Sequence, residues 1–323
     1  MTLGARRSLE IAMKIAILDD YQNVALQMAD WTQVSLRAEV TVFNDHLSDP
    51  DAVVRRLEPF DVVCLMRERT PLRGDTIARL PNLKLIASTA PRNASIDVEA
   101  AKERGIAIAI TGYRSTPTIE MTWALILASA RNIVNESVAV RNGGWQQDVG
   151  EELEGKTLGV LGLGNVGGPV ARIASAFGMK VIAWSQNMTA EVAQRAGAEF
   201  VSKEQLFERS DFLTIHLVLS DRSRGMVGAK LLNSMKPTAR LVNTSRGPIV
   251  DEAALIDVLK RRRIAGAALD VFDQEPLSKD HPFRTLQNVV ATPHIGYVGR
   301  GLYETFYGDT VKNIAEWLDR VQS

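Results

Sequence analysis

Thr157-Leu158-Gly159-Val160-Leu161 runs directly into Gly162-Leu163-Gly164-Asn165-Val166-Gly167, and an apolar helical pattern follows from Pro169 to Phe177. The first five residues read as a buried strand. A G-x-G-x-x-G therefore sits between a strand and a helix, and in that setting it predicts a dinucleotide-binding turn. Gly162 permits the tight turn, Gly164 lets backbone approach a pyrophosphate, and Gly167 lets helix and strand pack closely. The helix start supplies free N–H groups and partial positive charge to the diphosphate.

The same rhythm extends in both directions. Upstream, strand candidates at Lys14–Leu18, Val40–Phe43, Asp61–Met66, Leu83–Ser88 and Ile106–Ile110 alternate with helical patterns such as Pro50–Leu57 and Ile96–Arg104. A long helical pattern spans Pro117 to Arg141, and Asn142-Gly143-Gly144 ends it. Downstream, strands are expected at Lys180–Trp184, Phe212–His216, Ala239–Asn243, Ala265–Leu269 and Val289–Ala291, with a final helix from Gly301 to Val321. Alternating strands and helices predict α/β architecture with two doubly wound parallel-sheet domains. The expected division is 1–112 for the first domain, joined by the terminal helix 298–323, and 113–297 for the domain with the glycine turn.

Composition agrees with a globular protein. The chain has 323 residues, of which 46% are hydrophobic and 24% charged; 38 Lys+Arg offset 38 Asp+Glu. A balanced charge argues against nucleic-acid or anionic-membrane binding. No apolar block approaches the ~18 residues of a membrane span. Residues 1–12 carry no secretory pattern and read as a loose extension or a start upstream of Met13. The single cysteine, Cys64, lies in an apolar strand-like run, so an inert buried thiol and a reducing cytoplasm are expected. No Cys/His cluster has metal spacing, and no metal is expected. His46 and His281 stand in polar loop contexts and read as structural or solvated.

Three downstream segments place polar groups just past strand ends. They are Asn243-Thr244-Ser245-Arg246-Gly247, Leu269-Asp270-Val271-Phe272-Asp273-Gln274-Glu275-Pro276, and Thr292-Pro293-His294-Ile295-Gly296. In an open parallel sheet, ligands bind outside the carboxyl ends of the strands, so all three point to the edge that holds the glycine turn.

Together these motifs resemble the D-isomer-specific 2-hydroxyacid dehydrogenase family. The likeness covers nearly the whole chain and includes Asn243 to Asp251, Ala268 to Phe272 with Glu275-Pro276, and Thr292 to Gly296. The resemblance implies a flavodoxin-like substrate domain and a Rossmann domain. It also implies hydride transfer between a nicotinamide cofactor and a 2-ketoacid or D-2-hydroxyacid. Arg246 would hold the substrate carboxylate and polarise its C2 carbonyl through a planar fork of donors. His294 would be the general acid in reduction and the base in oxidation, with Glu275 on its other ring nitrogen. The cofactor would lie against Gly162, Gly164, Asn165, Val166, Gly167, Ser185, Asn187, His216, Thr244, Asp270 and Gly296, with Asp270 orienting Arg246 or the nicotinamide ribose. A homodimer through the nucleotide domain, using the Pro117–Arg141 helix, is also implied. A dinucleotide-sensing corepressor on the same fold is the rival from another class, and turnover of 2-ketoacids separates the two.

Several positions depart from the family pattern. The strand that should end in an acid to hold the adenosine ribose ends in Trp184-Ser185-Gln186-Asn187. Losing the acid removes the repulsion that excludes a 2′-phosphate, yet no Arg or Lys occurs between Val181 and Val192. The reading favours NAD(H), with Ser185 and Asn187 on the ribose, and leaves NADP(H) open. In the substrate loop, Ala90 and Arg92 replace the usual glycines, and Pro91 removes an N–H donor. The expected substrate contacts are Ala90, Pro91, Arg92, Arg246 and His294. Arg92, Arg67 or Arg69 is expected to read a second polar group of the substrate, against the rival of solvated surface arginines. Val218 stands where Pro is frequent. The end at Ser323 argues against the longer phosphoglycerate dehydrogenases, and Glu275 argues against formate dehydrogenases, which carry Gln there.

Overall fold

The computed structural model describes residues 13–322. The expectation for residues 1–12 lies outside the described residues. The chain forms two compact units: one runs to Arg114 and resumes at Gly299, and the other is Ser115–Val298.

The first unit holds β1 (Met13–Ile17), β2 (Ala38–Val42), β3 (Val62–Leu65), β4 (Leu85–Ser88) and β5 (Ala107–Ile110), all parallel, in the order β2-β1-β3-β4-β5. This is the flavodoxin-like order. Strands buried on both faces need continuous apolar runs, and β3 and β4 are buried at every residue. Cys64 lies inside β3, where burial pushes its thiol up to about 12, so it stays protonated and inert. The C-terminal helix Arg300–Gln322 belongs to this unit. Leu302, Phe306, Ile314 and Leu318 form its buried stripe, and Arg37 clasps it through Asp319 and the Ala315 carbonyl.

The second unit holds β6 (Thr157–Leu161), β7 (Lys180–Trp184), β8 (Glu199–Phe200), β9 (Phe212–Ile215), β10 (Arg240–Asn243), β11 (Gly266–Leu269) and β12 (Val289–Ala291). Their order is β12-β11-β10-β9-β6-β7-β8, again all parallel. The chain reverses direction across the sheet at β6, so the crevice between β6 and β9 is the topological switch point.

Two features differ from the sequence expectation. β8 has only two residues, too few to show alternation. The Pro117–Arg141 pattern is two helices, Thr116–Ala130 and Ile133–Arg141. Asn132 breaks it with a left-handed φ of 50°, a conformation that asparagine tolerates better than most residues. Apolar residues continue on both sides of the break, so periodicity alone did not reveal it.

Candidate active site

The glycine turn has the geometry its spacing predicts. Gly162 adopts φ +101°, and its N–H donates to the Trp184 carbonyl at 2.9 Å. A Cβ there would stand 2.6 Å from the His216 carbonyl oxygen, and one at Gly167 only 2.0 Å from the Gly162 carbonyl oxygen. Gly164 and Asn165 form the exposed tip, and a Cβ on Gly164 would meet nothing within 4 Å. The helix Gly167–Ala176 has no side-chain cap at Val166; the Gly168 N–H donates to the Gly164 carbonyl at 2.9 Å and Pro169 has none, so the Val166 and Gly167 N–H groups are the ones left for a ligand. An open backbone tip before an uncapped helix fits a pyrophosphate. Ser185 and Asn187 follow β7 at the same edge.

His216 follows β9, with its N–H donating to the Leu161 carbonyl at 2.8 Å and its Nε2 2.9 Å from Thr214 Oγ1. Desolvation pushes its imidazole down to about 3, so it is neutral at pH 7. Thr244, past β10, is buried and shares a 2.9 Å hydroxyl contact with Thr122 of the helix Thr116–Ala130.

Arg246, Glu275 and His294 leave the carboxyl ends of the adjacent strands β10, β11 and β12. His294 Nδ1 lies 2.5 Å from Glu275 Oε2. An ionised carboxylate only accepts, so Nδ1 carries the shared proton and Nε2 points elsewhere. The other Glu275 oxygen accepts from the Phe272 N–H at 2.9 Å, which fixes the carboxylate to its own loop. His294 has φ 52°, and its ring meets Tyr297 edge-on at 5.5 Å between centroids.

Backbone packing brings the arginine to the same loop. A Cβ on Gly247 would stand 2.0 Å from the Phe272 carbonyl carbon, so Gly247 is required for that approach. Buried Asn243 clamps the turn that presents Arg246: its Oδ1 accepts from the Ser245 N–H at 3.0 Å, and its Nδ2 donates to the Arg246 carbonyl at 3.0 Å. The guanidinium Nη1 donates to the Ser245 carbonyl at 2.7 Å.

Asp270 is fully buried and braces the histidine loop. Its Oδ1 accepts from Thr292 Oγ1 at 2.6 Å and the Ile295 N–H at 2.9 Å; its Oδ2 accepts from the Gly296 N–H at 2.7 Å. Desolvation raises its pKa, and these bonds oppose the rise. These three bonds tie it to the segment carrying His294. Asn243 and Tyr297 were missed as site residues. Asn243 lies within the quoted motif, but Tyr297's contact needs the folded loop.

Ala90, Pro91 and Arg92 lie in the other unit, after β4. Ala90 takes the glycine-like φ of 70°, and its N–H is spent on Thr111 Oγ1 at 2.8 Å. Asn93 staples this loop to the Arg67 carbonyl at 2.6 Å. Arg69 donates to the Asp19 carbonyl at 2.7 Å and covers the Tyr21 ring at 4.6 Å, while Arg67 covers Tyr113 at 5.3 Å. Arg92 is exposed. The remaining histidines pair with carboxylates: His46 with buried Asp19 at 2.8 Å and His281 with Glu252 at 3.0 Å. Among the described residues no group of three or more His, Cys, Asp or Glu could hold a metal, and no helix is long and apolar enough to cross a membrane.

Residues 123–296 match the D-isomer specific 2-hydroxyacid dehydrogenase family, NAD binding domain. The chain is 45% identical over 230 residues to a glyoxylate reductase of Aeropyrum pernix, covering 68% of this chain and 69% of that protein. It is 37% identical over 265 residues to a hydroxypyruvate reductase of Thermotoga maritima, covering 80% and 85% respectively. The solved phosphoglycerate oxidoreductase of Vibrio cholerae superposes with a TM-score of 0.90 at 36% identity, over 95% of this chain and 99% of that one. The chain belongs to the D-isomer specific 2-hydroxyacid dehydrogenase family, and its activity is NAD-dependent interconversion of 2-ketoacids and D-2-hydroxyacids.

Proposed function

We propose that this enzyme reduces a short 2-ketoacid of the glyoxylate or hydroxypyruvate type, with Arg246, Glu275 and His294 as its catalytic set. The observation that carries this reading is the 2.5 Å His294–Glu275 bond at the sheet edge that also presents the glycine turn. A nicotinamide cofactor held by these residues would supply the hydride that the carbonyl carbon accepts. His294 delivers a proton from Nε2 to the carbonyl oxygen, while Glu275 holds Nδ1–H and fixes the tautomer. Arg246 binds the substrate carboxylate and polarises the carbonyl with its remaining donors. Gly162, Gly164, Asn165, Val166 and Gly167 hold the pyrophosphate, Ser185 and Asn187 the adenosine ribose, and His216, Thr244 and Gly296 the rest of the cofactor groove. Asp270 acts through the loop it braces.

The Ser115–Val298 unit is then the dinucleotide domain, and the unit completed by the C-terminal helix is the substrate domain. Its loop at Ala90 keeps the left-handed turn without glycine, and Pro91 offers no N–H. Arg92 is the side chain left to read a further polar group. The glyoxylate and hydroxypyruvate reductases among its relatives support a small substrate. A homodimer forms through the helix Ile133–Arg141, which buries none of its own residues and exposes Ile133, Val134, Val138 and Val140. A lone buried thiol suits the cytoplasm.

NADH oxidation with glyoxylate, hydroxypyruvate, pyruvate and phenylpyruvate tests the substrate reading. The highest kcat/KM is expected for glyoxylate and hydroxypyruvate, and preference for phenylpyruvate would reject it. Arg92→Ala is expected to raise KM for hydroxypyruvate more than for glyoxylate; an unchanged KM for both removes Arg92 from substrate recognition.

A further inference from the structure

The segment from Val181 to Val192 offers no cation to a 2′-phosphate, but the fold brings one from farther along the chain. β7 and β8 are parallel neighbours, with Ile182 opposite Glu199 and Ala183 opposite Phe200. Residues just after β8 therefore lie at the same carboxyl edge as Ser185. Lys203 is placed there, and its Nζ stands 5.6 Å from the centroid of the Trp184 ring. Trp184 immediately precedes Ser185, and consecutive Cα atoms are only about 3.8 Å apart. Its carbonyl also accepts the Gly162 N–H, so one residue links the glycine turn, the ribose position and the lysine.

Lys203 is available to an incoming anion, although the carboxylates of Glu191 and Glu204 stand in the first turns of the two helices that follow β7 and β8. Lys203 forms no salt bridge among the described residues. The nearby Glu199 carboxylate is already bound by both Arg209 nitrogens at 2.8 Å. Contact with an aromatic face holds an ammonium in place without neutralising it. Ser185 adds a hydroxyl donor where an acid would repel.

We propose that Lys203 is the specificity-determining cation of the adenosine pocket, and that the pocket accepts NADP(H) as well as NAD(H) by pairing Lys203 with the 2′-phosphate. The proposal rests on the dinucleotide occupying the glycine turn.

Calorimetric titration of the wild type and Lys203→Ala with 2′,5′-ADP, 5′-AMP and NADH tests it without turnover. The wild type is expected to bind 2′,5′-ADP more tightly than 5′-AMP. Lys203→Ala is expected to weaken 2′,5′-ADP about tenfold, reverse that order, and leave NADH within about twofold. A wild type that prefers 5′-AMP, or an order that Lys203→Ala does not reverse, overturns the proposal. Loss of NADH binding by the wild type would instead sink the dinucleotide site itself.

Discussion

Gly296 lies directly against Asp270: its N–H donates to Oδ2 at 2.7 Å, and a Cβ there would stand 2.8 Å from the same oxygen. The carboxylate carries one backbone N–H on each oxygen, Ile295 on Oδ1 and Gly296 on Oδ2. Asp270→Asn must therefore turn an amide nitrogen toward one of them. The expected loss is about 1–3 kcal/mol for an unsatisfied buried group, together with a fall in kcat as the His294 loop shifts. Gly296→Ala is expected to act the same way. Urea denaturation and steady-state kinetics check both, and unchanged values would show that the loop does not depend on this contact.

His294 and Glu275 are expected to act as a unit. Removing a general acid costs roughly 10²–10⁴ in rate, so His294→Ala should lower kcat on that scale while leaving NADH binding intact. Glu275→Gln keeps the volume but removes the charge, and it should lower kcat less. Arg246→Ala should lower kcat and raise the ketoacid KM together. If His294→Ala retains wild-type kcat, the proton comes from elsewhere.

His216 ties stability to pH. Its folded value, about 3, lies below the ordinary 6.5, so the unfolded chain binds the extra proton first. Its contribution is fully present above pH 6.5 and is lost as pH falls from there toward 3. His216→Asn should flatten that part of the stability curve relative to wild type. Two parallel curves across the window would refute the assignment.

The helix Ile133–Arg141 tests the quaternary proposal. Val134 and Val138 are 46% and 50% exposed and lie one helical turn apart. Substituting both with Glu should convert a dimer to a monomer by light scattering and leave the isolated fold intact by circular dichroism. A wild-type monomer would remove the dimer from consideration.

Much of this protein was legible from sequence because its signals are local. Buried parallel strands must be apolar runs, and β6 and β9 fall where those runs lie. Gly162 and Gly167 are demanded by close backbone approach, and such demands recur as spacing. The motif around Arg246 announces itself by residue type. The break at Asn132 and the short β8 left no pattern, because one αL residue and two strand residues carry too little periodicity. Pairing is another matter. Asp270 with Gly296, Glu275 with His294, and Lys203 with Trp184 join residues far apart in the chain, and only the register of neighbouring strands decides which loops meet. Sequence determined the fold and the cast of chemical groups; tertiary structure alone decided their partners, because hydrogen bonds and charge contacts depend on distances that chain order does not encode.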